Sequence, residues 1–196
     1  MITILRRGAF ALFVAMSISV IAPAAKSHAT EAAWARLAQG GYTILLGYAR
    51  TPGGGEPLRP DLGNCESRKG LSDRGIQEAR RIGMRFAARA VSIDAVYSGE
   101  FCRALRTAEL GFGASRVETR DYLNSVVGGG NPDEIPLELI EAVDDFFGSG
   151  NQVMVTHPEL IRAISGTTPR EGEAIIIAPA IEPGDPPRVV NRLLLD

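Results

Sequence analysis

The chain has 196 residues, 45% of them hydrophobic, 22% charged and 6% aromatic, with a formal net charge of −2. That length suits one domain and is short for two. The near-neutral balance argues against nucleic acid as a partner, because phosphate-backbone binding leaves a basic footprint.

At the N-terminus, Arg6 and Arg7 precede an apolar run from Gly8 to Ala22, which Pro23 ends. Ser27-His28-Ala29 then offers a small-x-small processing site. Charged start, apolar run and small-residue site make residues 1–29 an expected secretory signal and 30–196 the expected domain. The run is shorter than the roughly 18 residues of a membrane span, so no stable span is expected after cleavage. The expected location is exported, periplasmic or secreted.

Cleavage after Ala29 leaves His157 as the sole histidine, beside Cys65 and Cys102. Three such ligands cannot furnish an ordinary zinc site, and neither metal nor cofactor is expected. In an oxidising compartment the even cysteine pair reads as a Cys65–Cys102 disulfide, which would contribute about 4 kcal/mol by loop-closure entropy. Two buried free thiols are the other reading. A thiol phosphatase is excluded, because Leu71 and Ala108 stand where its Cys-x5-Arg motif needs arginine.

Apolar runs and periodic segments alternate along the rest of the chain. Tyr42–Leu46 is a predicted buried strand, followed by a Gly/Pro-rich loop. Ser72 is placed to cap a helix whose apolar stripe is Ile76, Ala79, Ile82, Phe86 and Ala90. Its other face carries Arg74, Arg81, Arg85 and Arg89, which read as solvated. A strand over Ile93–Tyr97 precedes a helix over Glu100–Leu110. A loop through Gly128-Gly129-Gly130 leads to a helix with Leu139, Ile140, Val143, Phe146 and Phe147 on one stripe, stopped at Gly148. Gln152–Thr156 is a further strand, Pro158–Ser165 a short helix, and Ala174–Ile177 and Arg188–Leu194 two more strands.

This alternation predicts an α/β three-layer sandwich with a largely parallel central sheet. Such sheets bind ligands beyond the carboxyl ends of their strands, which gathers Arg50-Thr51, Arg103 and His157 at one edge. Arg103 falls near a helix start, where free N–H groups and the helix dipole favour an anion. Its guanidinium can bond phosphate in bidentate fashion, His157 can donate a hydrogen bond or move a proton, and Arg50 adds charge. The alternative is that Arg103 pairs with a carboxylate and His157 caps a helix.

These residues resemble the histidine phosphatase superfamily, the phosphoglycerate-mutase-like phosphatases. Leu71-Ser72-x-x-Gly75 is similar to the family's Leu-Ser-x-x-Gly helix start. Ser98-Gly99-Glu100-Phe101-Cys102-Arg103-Ala104-Leu105-Arg106-Thr107-Ala108 is similar to its Ser-Ser-Pro-x-x-Arg-Ala-x-x-Thr-Ala segment. Val155-Thr156-His157 matches its second histidine motif, and Gly166 through Pro169 and Gly172-Glu173 resemble the C-terminal segment of exported members. The resemblance runs from about Gly41 to Ile177 and implies that family's fold.

The opening motif departs from the pattern. The family's first strand ends in Arg-His, whose histidine takes the phosphoryl group; here Gly47 and Tyr48 stand at those two positions. Of the implied Arg-His-Arg-His tetrad only Arg103 and His157 remain. A phenol with a reference pKa of about 10 is mostly protonated at neutral pH, and no spare histidine exists as its base. Tyr48 therefore reads as a packing or hydrogen-bonding residue. Glu118, Asp121 and Asp133 lie where a general acid could originate.

The expected function is a catalytically impaired pseudophosphatase that binds phosphate or a phosphorylated small molecule through Arg50, Thr51, Arg103 and His157. The alternatives are an active phosphomonoesterase with Tyr48 as nucleophile, and a scaffold for an exported protein partner.

Overall fold

The computed structural model describes residues 25–52, 70–124, 134–182 and 185–195. Among these residues, six strands form one sheet in the order β3-β2-β4-β1-β5-β6. They are β1 (Thr43–Gly47), β2 (Ile93–Ser98), β3 (Val117–Thr119), β4 (Asn151–Thr156), β5 (Glu173–Ala178) and β6 (Arg188–Leu194). The first four in that order pair in parallel, and β5 and β6 add antiparallel pairings at one side.

Among the described residues, five α-helices cover the sheet: α1 (Ala25–Leu37), α2 (Asp73–Ala88), α3 (Cys102–Phe112), α4 (Leu137–Asp144) and α5 (Pro158–Ser165). Alternation along the strands sorts the core. Ile44 and Leu46 of β1 join Val153 and Val155 of β4 under α1, α2 and α3, with Trp34, Ile82, Phe86, Ala104 and Ala108. Leu45, Met154, Ile175 and Ile177 point the other way, onto Leu139, Val143, Leu160 and Ile161 of α4 and α5. Every residue of β4 and β5 is buried, as strands covered on both faces require. The expected three-layer α/β sandwich is thus present, parallel through β3-β2-β4-β1.

Ser72 caps α2 as expected, its hydroxyl accepting from the Gly75 N–H at 3.1 Å. Gly75 must be glycine here, because a Cβ would collide with the Arg50 carbonyl oxygen. Gly83 stands in the same relation to the Gly111 carbonyl and lets α2 lie close against α3.

Two expectations are corrected. The stripe of α2 stops at Phe86, since Ala90 lies past the helix, exposed and at φ 51°. The helix expected to reach Phe147 ends at Asp144, and Phe147 is 89% exposed. There the Asp144 carboxylate accepts the Ala180 N–H, and Gly150 donates to Asp94, turning the chain into β4. The segment before Gly40-Gly41, which carries no strong helix signal of its own, forms α1. Its Trp34 ring meets Phe86 edge-on at 5.4 Å between centroids, and the Arg89 guanidinium lies over the indole at 5.3 Å.

The apolar run Gly8–Ala22, Cys65, Asp133 and the Gly128–Gly130 loop lie outside the described residues. No helix among the described residues is long and apolar enough to cross a membrane. No described cysteine is free.

Candidate anion-binding site

The site is assembled where three parallel strands end together. Gly47 of β1 is opposite Thr156 of β4, and Ser98 of β2 is opposite Val155. The residues that follow, Tyr48, Gly99 through Arg103, and His157, therefore leave the sheet at one edge.

Tyr48, Arg103 and His157 meet. The Tyr48 hydroxyl is 3.4 Å from Nε2 of His157, and the two rings lie edge to face with centroids 5.2 Å apart. The Arg103 guanidinium carbon is 4.8 Å from the centre of the Tyr48 ring, a cation–π distance. Arg103 is only 6% exposed. Nδ1 of His157 faces the Glu159 carboxylate, in the first turn of α5.

Two contacts hold this cluster in register. Thr107 of α3 donates its hydroxyl to the Arg103 carbonyl at 2.7 Å and accepts the Ala49 N–H at 3.0 Å. One side chain thereby ties the loop carrying Tyr48 to the helix turn carrying Arg103. Across the strand ends, Thr156 donates to the Leu123 carbonyl at 2.6 Å. Asn124 exchanges hydrogen bonds with Glu100, one to its N–H and one to its carboxylate.

Arg50 is placed differently from Arg103. Its Nη2 is 2.9 Å from the Glu171 carboxylate, and its Nε is 3.7 Å from Glu78, within ion-pair reach but beyond a hydrogen bond. Glu78 also accepts the Arg50 N–H at 3.2 Å. Arg50 and Thr51 line a cavity of about 310 Å³ with Gly47, Tyr48, Glu78 and Glu171. Arg103 and His157 are not among its walls, so only Tyr48 is common to the cavity and the cluster.

Of the carboxylates offered as acids, Glu118 and Asp121 have partners of their own, and Asp133 lies outside the described residues. Glu118 sits on the edge strand β3, with β2 and β4 between it and β1, and pairs with Arg120 at 2.7 Å. Asp121 is exposed and accepts the Tyr122 N–H at 2.9 Å. Burial pushes the Tyr122 phenol above its ordinary range, against the pull of Arg120.

Three residues here escaped the sequence reading. Glu78 had a signal, an acid set within an apolar helix stripe, and it is buried. Thr107 stands four residues after Arg103 on α3, and Glu159 stands two after His157. Only their partners across space reveal what those two do.

No family model matches the chain, and no curated protein does. Solved structures do. The protein histidine phosphatase SixA complexed with tungstate superposes with a TM-score of 0.55 at 14% identity, over 78% of this chain and 96% of its own. The chain has the histidine-phosphatase fold. The Rv3214 protein from Mycobacterium tuberculosis gives 0.52 at 15% identity, over 79% of this chain and 98% of its own. Phosphoserine phosphatase from Entamoeba histolytica, in complex with 3-phosphoglyceric acid, gives 0.50 at 14% identity, over 78% and 96%. In this chain the end of the fold's first strand carries Gly47 and Tyr48.

Proposed function

We propose that this protein is an exported member of the histidine phosphatase superfamily that keeps a phosphate-binding pocket and has lost phosphohistidine chemistry. The observation that carries the reading is the Tyr48–Arg103–His157 cluster, where a phenol stands at the nucleophile position of the resemblance. Arg103 and His157 supply a guanidinium and an imidazole able to bond a phosphoryl oxygen. Tyr48 supplies no imidazole to accept the group, and Gly47 no second guanidinium to clamp it. The ligand is a phosphate anion or a phosphorylated small molecule.

Export rests on the Arg6-Arg7 start, the apolar run and the Ala29 processing site. The Cys65–Cys102 bridge belongs to the same reading, supported by the lack of a free thiol among the described residues.

Calorimetric titration with inorganic phosphate or tungstate tests the pocket. Weak, saturable binding that disappears in Arg103→Ala is expected, together with no turnover of an aryl phosphate. Steady hydrolysis, or no saturable binding in any variant, overturns the reading.

A second reading has one observation in its favour. The sequence offered Tyr48 no spare base, yet His157 itself stands within reach of the phenol, backed by Glu159. In a tyrosine-based phosphomonoesterase, Tyr48 would attack phosphorus as the P–O bond to the alcohol breaks, its proton passing through His157 to the leaving oxygen, and water would then hydrolyse the phosphotyrosine. Aryl phosphate hydrolysis that is present in the wild type and absent in Tyr48→Phe would select it.

A further inference from the structure

The same cluster has a regulatory geometry. An oxyanion bound between Arg103 and His157 needs Nε2 of His157 and access to the guanidinium. Both now face Tyr48: the hydroxyl holds Nε2 at 3.4 Å, and the ring lies over the guanidinium at 4.8 Å. A tetrahedral anion cannot insert between two atoms that close, because each of its hydrogen bonds spans about 2.7–2.9 Å. Arg103 is 6% exposed and the His157 side chain 15%, so both binding groups are nearly closed to solvent. Tyr48 also has somewhere to go. It lines the cavity of about 310 Å³ bounded by Gly47, Glu78 and Pro158, and a glycine neighbour leaves that space free of side chain.

We infer that Tyr48 is an internal latch on the anion pocket: a phosphate oxyanion binds only by displacing the phenol from His157 Nε2 and the ring from Arg103. This rests on the phosphate-pocket reading and adds how that pocket is regulated. Closed, the phenol is hydrogen-bonded to His157 and its ring lies over the Arg103 guanidinium. Open, the ring turns toward the Gly47 cavity, and the anion takes over both groups. The intrinsic affinity is then reduced by the fraction of molecules that are closed.

Titration of full-length protein with inorganic phosphate and with tungstate tests the latch in wild type, Tyr48→Phe and Tyr48→Ala. Tyr48→Ala is expected to bind about tenfold more tightly than wild type, with Tyr48→Phe between them because it loses only the bond to His157. Adding Arg103→Ala to Tyr48→Ala should abolish the gain. Equal or weaker binding by both Tyr48 variants, with wild type still saturable, overturns the latch and leaves the pocket standing. Absence of saturable binding in all variants overturns the pocket reading itself. Tyr48→Phe removes one oxygen and keeps the ring, so it decides the matter if Tyr48→Ala fails to fold.

Discussion

Gly47 stands opposite Thr156 in the parallel pairing of β1 with β4, and a Cβ placed on it would meet Pro158 Cγ at 3.7 Å. That is ordinary van der Waals contact, and the backbone there lies outside the left-handed region. Glycine is therefore not demanded at this position as it is at Gly75.

Restoration follows from that space. Gly47→Arg combined with Tyr48→His should yield a folded protein that hydrolyses an aryl phosphate at a rate clearly above wild type. Initial-rate assays on purified protein measure it. A folded double variant with no gain would show that more of the machinery is missing than these two side chains.

Thr107→Val keeps the shape of the side chain and removes its oxygen. The buried Ala49 N–H then loses its acceptor, a cost of about 1–3 kcal/mol. Urea unfolding should show a lower midpoint with an unchanged slope. If Arg103 and Tyr48 are held in register through this contact, phosphate affinity falls as well.

Gly83→Ala is expected to destabilise by about 1–3 kcal/mol or more, because the new methyl group meets the Gly111 carbonyl of α3 with no room to relax. Ala88→Gly near the end of the same helix is a control that costs only helix propensity, about 1 kcal/mol. Parallel thermal melts separate the two effects.

Acid sensitivity is assigned to Glu173. Burial alone would raise its carboxyl, but the paired bonds from Arg192, with the Arg170 N–H, hold it below the ordinary carboxylate range. A depressed folded value means the stabilisation is present above about pH 4.5 and is lost as pH falls through the lower folded value. Denaturant midpoints measured across that window should fall for wild type and fall less for Glu173→Gln. Equal slopes would place the acid sensitivity elsewhere.

Much of this molecule could be read before its structure. The strands β1, β4 and β5 are short apolar runs buried on both faces, and α2 announces itself through its stripe and the Ser72 cap. Elements whose signal is weak or borrowed escaped. Val117-Glu118-Thr119 has no alternation to identify β3, which forms because β2 offers it an edge. Trp34 and Leu37 of α1 follow a segment read as an address, so their role in the core was invisible. In the site, strand order alone gathered Arg103 and His157 at one edge, and the family resemblance added Tyr48. The ties of Arg50 to Glu78 and Glu171 were not, because a carboxylate distant in sequence declares itself only after folding.

Trp34 is the only tryptophan in the chain, and it lies in the seam between α1 and α2. Intrinsic fluorescence excited selectively at indole therefore reports one hinge of the molecule and is blind to the layer formed by α4 and α5. Should the first helix peel away before the sheet melts, the emission shift will run ahead of the circular-dichroism transition. The chain thus carries its own optical gauge of how its N-terminal arm is fastened.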